Sequence, residues 1–215
     1  FANNGAGVRG DLAAVTRAIL LDYEARSPAV AATATFGKLK EPLLVTTALL
    51  RATGGTSNAG RINIPNPEGS LNQAALRSPT VFNFYEPNYV LPGAVAEAGL
   101  YAPEYQILND TTAITQPNFY YGFIYTTRST TELTQQTVGL NLAPFYSLTR
   151  TPAQLAETFS LLFTAGAMPK ASLDRVTAAI NALPAGSGTA TANDIERVRS
   201  AIYLVLTSPF GATQK

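Results

Sequence analysis

Two carboxylates, Glu86 and Glu104, lie in or beside the region of the chain that is densest in aromatic side chains, residues 77–110. A carboxylate among aromatic rings can have a raised pKa and then serve as a general acid, as in glycoside hydrolysis. A purely structural interpretation is also open: Glu104 would complement the dipole of a helix that begins at Pro103, and Glu86 would pair with Arg77. Glu86 and Glu104 are therefore the candidate catalytic residues.

The same region carries polar groups that could hold a ligand. Pro79, Pro87 and Pro92 interrupt regular structure, and aromatic side chains fill the intervals between them. One interpretation is that these aromatic side chains pin an irregular segment onto a helical core, because they bury large areas. The other is that they form the wall of a ligand groove, with tyrosine hydroxyls and amides as polar contacts. The candidate ligand-binding residues are Arg77, Asn83, Tyr85 and Tyr89.

The chain contains neither histidine nor cysteine. Their absence excludes Ser-His-Asp and Cys-His catalysis, disulfides and cysteine-type zinc sites. The groups that remain for chemistry are carboxylates, lysine, arginine, tyrosine and hydroxyls. Carboxylate and carbonyl oxygens still leave a hard-cation site open. The sequence itself predicts no metal site and no cofactor.

Charged residues make up only 13% of the chain, about half of the roughly 25% that is usual for soluble domains. The surface must therefore be solvated by neutral polar side chains, or be covered in part by a partner. The net charge is +1 without a cluster of basic residues, so we expect no nucleic-acid partner. We also expect no membrane span, because no apolar run reaches the roughly 20 residues that a spanning helix needs.

Apolar residues recur mainly at helical spacing. Leu12, Val15 and Ile19 mark one face of a helix, and Thr151-Pro152 is a strong helix start followed by a second apolar stripe. The sequence predicts a mainly α, irregular helical domain with long loops rich in proline, glycine and aromatic residues, and at most a few short strands. The single domain, residues 1–215, divides into a helical pair (1–53), an irregular aromatic segment (54–102), a long helix (103–127) and a C-terminal three-helix segment (151–209).

The chain opens on a polar, glycine-rich stretch, does not begin with methionine and shows no signal peptide. We therefore expect it to be a processed or trimmed product of a longer precursor.

Several blocks of the sequence, in this order, resemble a bacterial family of uncharacterised proteins, the DUF1800 family. The blocks are NGAGVRGDL (4–12), RAIL (17–20), GKLKEPL (37–43), SPTVFNFY (78–85), PG (92–93), APEYQI (102–107) and RVRSAIYLVLTSP (197–209). Together they extend over nearly the whole chain. The specificity of the resemblance lies in their order and spacing.

The resemblance implies a long, mostly helical protein of which this chain is the C-terminal portion, so the N-terminal remainder of the same precursor becomes an expected partner. It implies an extracytoplasmic location, periplasmic, surface or secreted, because family members usually carry an export signal. It also implies a partner protein similar to the sulfatase and alkaline-phosphatase superfamily, or a cell-surface polymer. It brings no activity and no catalytic residues.

Two functional hypotheses remain open at this point. The first is a secreted or surface-associated interaction module that binds a surface polymer or a partner protein. The second is an extracytoplasmic hydrolase of carbohydrates or other polymers, which would use Glu86 and Glu104, with further residues from an N-terminal half.

Overall fold

The computed structural model describes residues 1–57, 60–125 and 138–215. It confirms the predicted fold class, a mainly helical protein with two short strands in the described residues. The chain divides into two compact units, Phe1–Gly37 together with Lys215, and Lys38–Gln214. None of the described helices is both long and apolar enough to cross a membrane.

The first unit holds α1 (Leu12–Leu20), α2 (Tyr23–Arg26) and α3 (Pro28–Ala31). Helix α1 begins at Asp11, whose carboxylate accepts a hydrogen bond from the backbone N–H of Ala14 at 3.0 Å. No side chain of these three helices is buried, although the structure describes all their residues. The predicted apolar stripe of α1 is therefore a helical stripe that remains exposed.

The second unit is built from short helices, with two strands near its ends. In chain order its elements are β1 (Lys38–Leu39), α4 (Pro42–Ala52), α5 (Pro67–Leu71), α6 (Ala94–Glu97), a 3-10 helix (Pro103–Ile107), α7 (Asp110–Tyr125), a second 3-10 helix (Ala143–Arg150), α8 (Pro152–Thr164), α9 (Lys170–Asn181), α10 (Ala192–Leu206), α11 (Pro209–Ala212) and β2 (Thr213–Gln214). The strands pair antiparallel, with Leu39 opposite Thr213.

The core of this unit lies among α8, α9 and α10. Fully buried apolar side chains from all three helices meet there: Leu155, Phe159, Ile180, Val198 and Ile202. Helix α10 begins at a capping box, in which the Thr191 and Asp194 side chains each bond to the backbone of the other residue. Apolar residues at helical spacing then turn one face of α10 into the core.

The structure differs from the predicted helix over 103–127 at its start. Residues 103–107 form a 3-10 helix, Leu108 is extended, and α7 begins at Asp110. Asn109 supplies the reason, because its side-chain oxygen accepts the backbone N–H of Thr112 at 2.9 Å and so caps a new helix. The last two residues of the predicted helix, 126 and 127, lie outside the described residues.

Helix α7 runs through Pro117, as the predicted helix over 103–127 requires. A proline inside a helix costs about 3 kcal/mol because a backbone hydrogen bond is lost. The turns that follow Pro117 place Tyr120 (5% exposed) and Ile124 (0%) in the core. Burying two large side chains returns a comparable free energy, about 1.5–3 kcal/mol for each, so α7 continues through the proline.

Candidate functional site

The aromatic segment, residues 77–110, contains a tight turn that presents apolar side chains to solvent. Thr80 and Asn83 form an isolated bridge, and the N–H of Asn83 donates to the carbonyl of Thr80 at 3.3 Å. Asn83 has a left-handed backbone (φ 75°), which asparagine tolerates better than most residues. The turn places Val81 and Phe82 at its tip, 92% and 62% exposed.

Other large apolar side chains in and next to this segment are exposed as well. Tyr101 is 67% exposed, and Leu76, just before the segment, is fully exposed. Leu76 also has a left-handed backbone (φ 60°), a conformation that costs an ordinary residue roughly 1–2 kcal/mol. We call Leu76, Val81, Phe82 and Tyr101 the exposed apolar set. The idea that the aromatic side chains of this segment simply pin it to a core does not account for Phe82 and Tyr101.

Tyr85, two residues beyond the turn, is half-buried and ties the segment to the start of α4. Burial, a hydrogen bond to the Glu41 carboxylate and the nearby charges of Glu41 and Glu104 raise the pKa of Tyr85 to about 12. A hydrogen bond with Asn83 acts in the opposite direction. The Tyr85 hydroxyl is therefore protonated near neutral pH and donates to Glu41.

Gln73 extends this contact into the protein interior. It is 2% exposed, its amide nitrogen donates to Glu41, and its amide oxygen accepts the backbone N–H of Leu43 at 3.0 Å. Tyr85, Glu41 and Gln73 thus form a chain of hydrogen bonds, which we call the anchor network. Such a network fixes the aromatic segment without using the exposed apolar set.

Glu104 lies beside the anchor network. Its side chain is only 12% exposed, and one of its oxygens is 3.9 Å from the ammonium of Lys38 in β1. Because the charge of Glu104 acts on Tyr85 together with that of Glu41, the structure brings Glu104, Tyr85 and Glu41 into one neighbourhood. Glu104 thus stands at the beginning of a 3-10 helix, with a lysine as its ionic partner.

Glu86 and Arg77 do not form the ion pair that the structural interpretation of the sequence suggested. Glu86 is exposed, and the described residues provide neither a hydrogen bond nor an ion pair to its carboxylate. Its backbone N–H donates to the side-chain oxygen of Gln106 at 2.6 Å. Arg77 pairs with Glu68 rather than with Glu86. Tyr89 is half-buried, and its carbonyl accepts the N–H of Ala102 at 2.9 Å.

The structure therefore gathers Tyr85, Asn83 and Glu104 of the predicted residues, and adds Glu41 and Gln73, which sequence reasoning missed. Glu41 and Gln73 are 32 residues apart, and neither lies in the aromatic segment. One signal was present, because Glu41 directly precedes Pro42 in a block of the family resemblance. Chemically, the arrangement of two carboxylates around a protonated tyrosine is suited to holding a segment in place.

Comparison with known proteins places the chain in a family. Residues 1–210 match the family described as "Protein of unknown function (DUF1800)". No curated protein and no solved structure matches the chain. The chain belongs to the DUF1800 family.

Proposed function

We propose that this DUF1800 chain is an extracytoplasmic interaction module that binds a partner protein through its exposed apolar set. The observation that carries the proposal is the exposure of Val81 and Phe82 at the tip of a turn, flanked in the chain by Leu76 and Tyr101. These four side chains all lie within residues 76–101, and exposed apolar patches are typical of interaction sites. Single exposed apolar residues would need no such explanation.

Backbone strain at Leu76 supports the proposal. A leucine that is fully exposed and left-handed gains nothing from burial and pays a conformational cost. Strain of this kind persists where the surrounding structure imposes it, and it concentrates at binding and active sites. Contact with a partner would bury the Leu76 side chain and so offset the cost.

The anchor network makes the surface ready for binding. Tyr85, Glu41 and Gln73 hold the segment to the start of α4, while the bridge between Thr80 and Asn83 closes the turn that carries Phe82. A segment that is ordered before binding loses less entropy on association. The segment thus combines an apolar contact surface with a fixed backbone, as interfaces with preorganised anchors do.

A protein partner fits this surface better than a polysaccharide. Leu76 and Val81 are aliphatic and almost entirely exposed. Phe82 and Tyr101 have aromatic faces that can stack on a sugar ring, but the two aliphatic side chains have neither such a face nor hydrogen-bonding groups for a sugar. The core of a protein interface, by contrast, is apolar and accepts all four. A protein similar to the sulfatase and alkaline-phosphatase superfamily is the first candidate, and a cell-surface polymer is the second. The extracytoplasmic location in this proposal rests on the family resemblance.

A polymer hydrolase is the alternative, and one observation favours it. The Glu104 side chain is only 12% exposed, and its charge and that of a second carboxylate, Glu41, both act on Tyr85. Glu86 is exposed and would have to act from outside this neighbourhood. If Glu86→Gln and Glu104→Gln leave all polymer-dependent activity intact in folded protein, a hydrolase that depends on these two carboxylates is excluded.

The binding proposal is tested by measuring the affinity of the chain for two immobilised targets. One is a purified sulfatase-like protein from the same bacterium, and the other is the isolated cell-envelope polymer. Phe82→Ser should weaken binding to the protein at least about tenfold, since central aromatic anchors contribute about 2 kcal/mol or more. Leu161→Ser is the matched control, because Leu161 is 67% exposed on α8, outside the aromatic segment.

Equal affinities of the wild-type chain, Phe82→Ser and Leu161→Ser for the protein would contradict the proposal. Binding to the polymer alone, lost in Phe82→Ser, would replace the protein partner with a polymer. Circular dichroism of each variant checks that the helical fold is retained.

A further inference from the structure

A pocket of about 250 Å³ lies within the second unit, away from the exposed apolar set. It opens between the start of α4, α7 and the end of α10, and most of its wall is apolar, with Leu39, Val45, Leu108 and Leu206 as main contributors. Sites for drug-sized ligands usually measure roughly 300–1,000 Å³, so a pocket of this size suits a smaller molecule.

Lys40 gives the pocket a positive charge. Among the described residues that line the pocket, it is the only charged one. Its ammonium donates to the carbonyl of Phe163 at 2.6 Å, which uses one of the three N–H groups that a lysine offers. Burial lowers the pKa of Lys40, because an ammonium in apolar surroundings loses hydration. Among the described residues the Phe163 carbonyl is the one acceptor bonded to this ammonium, so two N–H groups remain for an acceptor in the pocket.

Gln116 adds a second donor to the pocket. Its side-chain nitrogen is buried and finds no hydrogen-bond partner among the described residues. The Gln116 side chain lines the same pocket as Lys40. A buried donor without a partner costs free energy, and a native structure that keeps one calls for an explanation. An acceptor supplied by a ligand would satisfy it.

The other polar groups of the lining are already engaged. The Tyr120 hydroxyl donates to the carbonyl of Pro42 at 3.1 Å, and the Thr207 hydroxyl donates to the carbonyl of Tyr203 at 2.7 Å. The described lining includes no carboxylate. The groups left for a ligand are thus two donors, one of them cationic, in front of an apolar wall.

We propose that this pocket binds a small carboxylic acid with a short apolar tail, its carboxylate held by Lys40 and Gln116 and its tail lying against the leucines. A carboxylate offers two acceptor oxygens and a negative charge, which match the two donors, and hydrogen bonds that involve charged partners are the strong ones. This site is separate from the protein-binding surface proposed above and does not depend on it.

Hexanoate is the probe, and isothermal titration calorimetry of the folded chain is the measurement. Saturable binding of one hexanoate per chain is expected. Hexan-1-ol, which has the same tail without the charge, should bind at least about tenfold more weakly, and hexylamine should not bind, because its ammonium would face Lys40.

Substitutions locate the site. Gln116→Leu and Lys40→Met should each weaken hexanoate binding about tenfold or more, whereas Gln154→Leu and Lys170→Met are matched controls at exposed positions and should leave binding unchanged. Lys40 also donates to the Phe163 carbonyl, so Lys40→Met removes a contact of the fold and can prevent folding. In that case Gln116→Leu, which removes a donor that has no partner among the described residues, is the variant that tests hexanoate binding.

Three results would overturn the proposal. They are the absence of saturable hexanoate binding to the wild-type chain, equal affinities for hexanoate and hexan-1-ol, and unchanged hexanoate binding in folded Gln116→Leu.

Discussion

The C-terminal helices and the aromatic segment use the same apolar residue types in opposite ways. Phe159 in α8 is 0% exposed and packs against Phe145 and Phe163, with ring centroids 4.8 and 5.8 Å away. Phe82 in the aromatic segment is 62% exposed. One phenylalanine stabilises the fold, while the other is free to contact something outside it.

The difference follows from how each backbone is held. In α10, helical hydrogen bonds satisfy the backbone, and apolar residues at helical spacing share the face that meets the core. The aromatic segment is broken by prolines, and it is held instead by the turn at Thr80 and Asn83 and by the anchor network. Since polar groups position this segment, its apolar side chains need not face inward.

The largest expected effect separates the two phenylalanines. Phe159→Ala should lower the free energy of unfolding by about 3–5 kcal/mol, because it removes a fully buried aromatic side chain and leaves a cavity. Phe82→Ala should change it by no more than about 0.5 kcal/mol, as for other exposed positions. Urea denaturation followed by circular dichroism measures both values. Similar losses for the two variants would remove the distinction between the regions.

The next effect concerns the polar support of the C-terminal helices. Asp194 is 0% exposed and accepts hydrogen bonds from Ser187, from the backbone N–H of Gly188, and from both N–H and hydroxyl of Thr191. Thr149 donates to it as well. Asp194→Asn should cost about 2–3 kcal/mol, because an amide cannot accept all these donors as the carboxylate does. Denaturation at pH 7 tests this.

The pH dependence of this variant sharpens the test. Burial by itself raises the pKa of Asp194, but the hydrogen bonds from Thr149, Thr191 and Gly188 outweigh burial and hold the pKa well below its ordinary value. In the unfolded chain the pKa of an aspartate is about 3.9. Because the pKa in the folded chain is lower, the ionised carboxylate stabilises the fold above about pH 3.9, and this stabilisation is lost as the pH falls toward the pKa of the folded state. The difference in unfolding free energy between wild type and Asp194→Asn should therefore become smaller below about pH 4. A constant gap from pH 7 to pH 3 would argue against a charged Asp194.

A smaller effect is expected in the anchor network. Tyr85→Phe removes the hydroxyl that donates to Glu41 and should cost about 1 kcal/mol of unfolding free energy, the contribution of one hydrogen bond. Tyr101→Phe is the control, because Tyr101 is 67% exposed. Because the pKa of Tyr85 is raised to about 12 in the folded chain, the stability that its hydroxyl contributes is lost as the pH rises from about 10 toward 12. The difference in unfolding free energy between wild type and Tyr85→Phe should therefore shrink in that range. Equal stability of the two Phe variants at pH 7 would mean that the network does not hold the segment.

The smallest effect has the opposite sign. Leu76→Gly should stabilise the chain by about 0.5 kcal/mol, because glycine adopts the left-handed backbone at φ 60° without the steric cost. In the control Leu161→Gly, a leucine that is 67% exposed is replaced inside a helix, and about 1 kcal/mol should be lost. A destabilised Leu76→Gly would show that the exposed leucine contributes to folding after all.

Local signals explain which parts of the fold were predictable. Helix α10 begins at its own capping residues, Thr191 and Asp194, and Thr151-Pro152 marks the start of α8. Both helix starts can therefore be predicted from residues that are neighbours in the sequence. Asn109 caps the start of α7 in the same way. Pro103 is also a typical first residue of a helix, so local sequence alone does not show at which of the two positions the helix begins. The predicted helix over 103–127 already included Pro117, but the burial that stabilises α7 beyond this proline is supplied only by the assembled core.

The candidate site was harder to predict from the sequence, because it depends on contacts between residues that are far apart in the chain. The aromatic segment was conspicuous, and Tyr85, Asn83 and Glu104 do lie together. The partners that organise them, Glu41 and Gln73, come from distant parts of the chain and have no local pattern. Periodicity likewise placed Ile19 on the apolar face of α1, but it could not tell that this face is exposed, unlike that of α10.

The most direct measurement of the central claim is site-specific photo-crosslinking in the native organism. A photoreactive phenylalanine analogue is placed at Phe82 in one strain and at Leu161, the equally exposed control, in another. Our account predicts one discrete protein adduct, identified by mass spectrometry, from position 82 and none from position 161, and it predicts that Val81→Ser reduces the yield. The same adducts from both positions, or none from position 82, would contradict the account.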